Sequence, residues 1–193
     1  MLPAVNWTRY RVWLAASGLL GGLIAASVLY AEQPQQAEYQ VKAAFLYNFA
    51  KFVEWPPRAF PTPSAPFSIC LMSDPFDGAL DKITQGEVLD GHPLVIRRIR
   101  SAEDVSSCQM VYLAASDGTR APEIVKQADA HPVLTVGESD NFISSGGIIR
   151  FVQIGGRIRF QINPDAAARA SLRLSSKLLR LAEIVRSSAG ELQ

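Results

Sequence analysis

Two cysteines, two histidines and a net charge of +1 are all that the 193 residues offer in those categories, and each scarcity excludes something. Without a C-x-x-C pair, and with only His92 and His131 to help, a metal site is not expected. Lys and Arg total 19 against 18 for Asp and Glu, so the basic excess that nucleic-acid binding requires is missing. No heptad run or internal period exists, which removes coiled coils and repeat arrays. Also absent are a phosphate-binding G-x-x-x-x-G-K-[ST] loop, a G-x-G-x-x-G turn after the first strand, a G-x-S-x-G elbow and an H-E-x-x-H helix. An enzyme therefore has no constellation to stand on, and no cofactor is expected. What is present is 48% apolar and 19% charged residue content, enough to bury the core of one domain.

Acids are missing from the first 31 residues, where Arg9 and Arg11 precede an uncharged run, Val12 to Tyr30. A basic segment followed by an apolar one is the pattern of a secretory leader. Nineteen residues are also nearly enough for a spanning helix, so an uncleaved anchor is the alternative. Either way the positive end stays inside and the rest of the chain is exported. Cys70 and Cys108 then stand in an oxidising compartment, which favours a disulfide over two buried thiols.

The expected organisation is a leader over 1–31, a polar lead-in over 32–37, one α/β domain over 38–187 and a tail over 188–193. Helical spacing starts near Ala37, with Val41, Ala44, Phe45, Asn48, Phe49, Phe52 and Val53 on one stripe and Lys42 off it. Trp55-Pro56-Pro57 ends that helix. Strands are expected at Phe67 to Met72, Pro93 to Ile99, Met110 to Ala114 and Val133 to Val136. Helices are expected at Phe76 to Ile83 and Ala121 to Ala128. The β-α-β succession predicts a single domain with a mixed, mostly parallel sheet flanked by helices.

The clearest local signal is Gly147 to Ile154, then Gly155-Gly156, then Arg157 to Ile162. Two alternating strands around two glycines predict an antiparallel hairpin whose central residues take positive φ. Pairing Ile154 with Arg157 sets Phe151 opposite Phe160 and Ile149 opposite Ile162. The other face carries Arg150, Arg157, Arg159 and Gln161 beside Val152 and Ile154. Asn163 caps a short helix that begins with Pro164, and Ser175 caps a last helix, Lys177 to about Val185.

Few residues are candidates for a site. His92 and His131 each precede a proline and read as turn residues. Asp74, Asp77 and Asp81 read as caps rather than a cation loop. The hairpin arginines Arg150, Arg157 and Arg159, with Tyr47 and Trp55, are candidates for a partner surface. Ser73, Asp74, Phe76, Ser116 and Asp117 follow parallel strands and are candidates to line a small-molecule pocket at the carboxyl ends. A ligand there would make the protein a sensor feeding a membrane kinase or cyclase.

Several segments resemble the YfiR family. They are Glu38 to Phe49 through Phe52-Val53-Glu54-Trp55-Pro56, Gly91-His92-Pro93-Leu94, Pro132 to Gly137, Gly147 to Phe151, Arg159 to Asn163 and Ala170 to Leu181. The resemblance runs in order from about Glu38 to Ala182. It implies a periplasmic, non-catalytic repressor that holds a membrane-bound diguanylate cyclase inactive through that enzyme's extracytoplasmic domain. It also implies release by an outer-membrane lipoprotein or a redox change, and a bond between Cys70 and Cys108. The family's second cysteine pair, near the hairpin, has no counterpart, since Phe142 to Val152 contains no cysteine. A switch through that second bridge is therefore not expected. A sensor kinase is the other partner class considered, and homodimerisation stays open.

Overall fold

The structure, a computed structural model, describes residues 34–186. The leader and tail expected at 1–31 and 188–193 lie outside the described residues. Five helices are α1 Pro34–Phe52, α2 Ala79–Thr84, α3 Ala121–Ala128, α4 Pro164–Arg169 and α5 Ser176–Leu181. The strands are β1 Val53–Glu54, β2 Phe67–Leu71, β3 Val88–Leu89, β4 His92–Arg98, β5 Met110–Leu113, β6 Leu134–Gly137, β7 Ile149–Ile154, β8 Arg157–Ile162, β9 Arg173–Leu174 and β10 Glu183–Ile184. Eight of them form one sheet in the order β10-β8-β7-β6-β5-β2-β4-β3, while β1 pairs with β9. The five central strands are parallel, and antiparallel pairing occurs at β7–β8 and β3–β4. This is the mixed, mostly parallel sheet with a C-terminal hairpin that the patterning predicts.

Both faces of the sheet are covered, and the period of two decides which residue faces which layer. Phe67, Ile69 and Leu71 of β2 and Met110 and Tyr112 of β5 join the core under α1, α4 and α5. Cys70, Val111 and Leu113 point the other way, to the core under α3. The hairpin register is the expected one, Phe151 opposite Phe160 and Ile149 opposite Ile162. Gly155 and Gly156 take φ of 58° and 72°, the left-handed values this turn requires. Asn163 accepts from the amides of Asp165 and Ala166, and Ser175 from that of Leu178, as their cap positions demand.

Several boundaries differ from the patterning. Helix α1 starts at Pro34, so the described part of the lead-in is helical rather than a separate segment. It ends at Phe52 because Val53 and Glu54 leave to pair with Leu174 and Arg173, before the prolines are reached. Its buried face is Lys42, Ala43, Leu46, Phe49 and Ala50, whereas Val41 is 46% exposed. Helix α2 begins at Ala79, after a turn in which Asp77 and Gly78 take positive φ. The last helix stops at Leu181 and the chain re-enters the sheet as β10, leaving Leu181 69% exposed.

The loop between β6 and β7 explains two glycines. Phe142, fully buried, sits between Gly137 and Gly147, and a Cβ on either would fall inside its ring's contact distance. Gly137→Ala is expected to cost about 2–3 kcal/mol by overpacking, measured by urea unfolding. A loss below about 0.5 kcal/mol would mean that the ring is free to move aside.

Candidate functional site

The parallel strands run in the spatial order β4-β2-β5-β6-β7, so chain direction across the sheet reverses between β2 and β5. In open α/β sheets the crevice at that reversal, at the carboxyl ends, is where ligands normally sit. Here its residues bind one another. Asp117, 5% exposed, accepts from the Ser73 hydroxyl at 2.6 Å, the Ser73 amide at 3.2 Å and the Ala114 amide at 3.0 Å. Asp74 accepts from the Phe76 amide at 3.1 Å and from Arg98 Nε at 3.0 Å. The Phe76 ring packs on Tyr112 at 4.9 Å and Tyr39 at 5.8 Å. Ser116 is exposed. Of these five residues only Phe76 borders a described cavity, a groove of about 330 Å³ against α2.

The same edge holds a buried charge cluster that the sequence did not reveal. Lys42 of α1, 3% exposed, pairs with Glu38 at 2.5 Å and with Glu138, just past β6, at 3.0 Å. The Tyr112 hydroxyl donates to Glu138, and the Lys42 ammonium lies 4.6 Å above the Tyr39 ring. Burial works against the charged form of Lys42, but its hydrogen bonds to Glu38 and Glu138 outweigh it and raise its pKa. Burial, then the Glu138 charge, raise both Tyr112 and Tyr39. Lys42, Glu138 and Tyr112 are paired with one another, so the cluster fastens α1 to the sheet.

The partner-surface candidates separate into two kinds. Tyr47 is half-buried, with its hydroxyl donating to Glu87, and Trp55 Nε1 donates to the Gln109 carbonyl at 3.3 Å. Arg150 pairs with Asp140 and is largely covered. Arg157 and Arg159 are exposed, and their side chains have no partner among the described residues. They share the outward hairpin face with Val152 and with Ile154, which is 57% exposed. Cys70 and Cys108 are bonded, with Cα atoms 6.0 Å apart, beneath α3.

At the opposite edge of the sheet lies a cavity of about 390 Å³ between the start of β2 and the β3–β4 turn. Buried Gln109 ties its proline-rich rim to the sheet: Nε2 donates to the Ala59 carbonyl at 2.6 Å, and Oε1 accepts from the Ser68 amide at 2.8 Å. Nothing local in the sequence shows what this rim, with prolines at 56, 57, 61 and 63, folds against.

Among the described residues no three metal-ligating side chains cluster, and no helix is long and apolar enough to cross a membrane. A family model described as YfiR/HmsC-like matches residues 39–183. Among solved structures, the crystal structure of a conserved domain protein from Vibrio cholerae O1 biovar El Tor is similar, at 12% identity and a TM-score of 0.47. That alignment covers 76% of this chain and 59% of the other.

Proposed function

This chain belongs to the YfiR/HmsC-like family, and on that premise we propose that it is an exported, non-catalytic regulator of cyclic-di-GMP signalling. It represses a membrane-bound diguanylate cyclase by docking on the extracytoplasmic domain of that enzyme. A module without reactive groups can act only by binding one state of its partner more tightly than another. The observation that supports the reading is the outward hairpin face, where Arg157 and Arg159, without partners among the described residues, lie across from exposed Ile154 and from Val152. Arginine and exposed aliphatics are what an acidic, partly apolar partner surface selects. An outer-membrane lipoprotein that competes for the same face would release the cyclase.

The test is charge reversal at Arg157 and Arg159 in cells. The R157E/R159E double variant is expected to raise cyclic-di-GMP to the level of a deletion strain, with protein abundance unchanged. The melting temperature should stay within about 2 °C, as exposed positions allow. Retained repression would overturn the docking reading, and retained repression with a large fall in melting temperature would assign these arginines to the fold.

A further inference from the structure

The cavity at the amino-terminal edge of the sheet has a chemistry of its own. Its volume, about 390 Å³, lies within the ~300–1,000 Å³ typical of small-molecule sites. Its walls are aromatic and fixed. Trp55 meets Phe67 edge-on at 4.7 Å, and the rings of Phe60 and His92 stack 3.6 Å apart at 5°. The proline-rich rim and Gln109 hold Trp55 and Phe60 in place, so little ordering remains for a ligand to impose.

The polar groups in the lining are biased toward accepting. His92 Nδ1 lies 2.6 Å from the Ala65 carbonyl. A carbonyl only accepts, so Nδ1 is the donor, and the neutral tautomer this selects is the one with its acceptor at Nε2. Asp90 supplies a carboxylate, and among the described residues no lysine or arginine lines the space. Aromatic faces also attract cations through their quadrupole.

We propose that this cavity binds an organic cation, a primary amine carried on a flat aromatic body. The ring would take the aromatic walls and the ammonium the Asp90 side. This site is independent of the hairpin docking reading, because it lies at Asp90 and His92 rather than on β7 and β8.

Phenethylamine and phenylacetate are matched probes, the same ring carrying opposite charges. Calorimetric titration of the full chain is expected to show saturable binding of phenethylamine, about tenfold or more tighter than phenylacetate. Asp90→Asn should reduce that preference to less than about twofold, since it removes the charge and little else. Asn suits the backbone there, because Asp90 takes φ of +50° and asparagine is enriched in that region. A second variant, Phe60→Ala, should weaken both probes. Equal affinity for the two probes, no saturation by phenethylamine up to about 10 mM, or a preference that survives in Asp90→Asn would each overturn the proposal.

Discussion

Lys42→Met is expected to lower the unfolding free energy by about 3–5 kcal/mol, because it strands a buried carboxylate without its cation. Glu138 keeps the Tyr112 hydroxyl but loses the ammonium at 3.0 Å. The second half of the experiment separates charge from packing. Lys42→Met combined with Glu138→Gln leaves no unpaired charge at that pair and is expected to recover most of the loss. Urea unfolding of both variants measures the difference. If the single variant lost less than about 1 kcal/mol, water would be reaching the pair and the latch would be weak.

The cluster also fixes how stability depends on pH. Lys42, Tyr112 and Tyr39 all have folded-state pKa values above their ordinary ones of 10.5, 10.0 and 10.0. Above about pH 10 the unfolded chain releases these protons first, so it binds fewer than the folded one and stability falls as pH rises. Below that range the contribution is fully present. The melting temperature should therefore be insensitive to these groups from pH 7 to about pH 9 and drop above pH 10, less steeply in Tyr112→Phe.

Removing the Cys70–Cys108 bridge is the other large effect. It closes a loop of 38 residues, for which the chain-entropy relation gives roughly 4 kcal/mol. Cys70→Ala with Cys108→Ala is expected to lose about 3–4 kcal/mol in urea unfolding. Both sulfurs lie in the core beneath α3, with residue exposures of 0% and 2%, so the native protein should resist dithiothreitol until it opens. Reduction of the folded form within minutes, with no accompanying loss of stability, would show that the bridge does not constrain the chain.

How much of this was legible depended on how local the cause was. The hairpin could be read to the residue because alternation and the Gly155-Gly156 turn fix its register together. The caps Asn163 and Ser175 were legible for the same reason. Lys42 was not: a lone charge off an aromatic stripe normally faces water, and its partner Glu138 comes from the far half of the chain. The two-residue strands β1, β9 and β10 are too short to show a period and exist only because other segments pair with them. At the carboxyl edge Ser73 bonds Asp117 and the Phe76 amide bonds Asp74, while Ser116 stays exposed. These bonds depend on side-chain directions that spacing alone does not carry.

The outer hairpin stands apart from the rest of the sheet. Strand β6 reaches only Ile149 and Arg150, and β10 touches only Gln161 and Ile162. Next to these pairs the hairpin rests on Phe45 and Phe49 of α1, whose rings lie 5.0–6.0 Å from those of Phe151 and Phe160. Helix α1 is tied to Glu138 at Lys42 and, further along, seats the hairpin that bears Arg157 and Arg159. The carboxyl edge of the sheet and the outer hairpin thus share one support, helix α1.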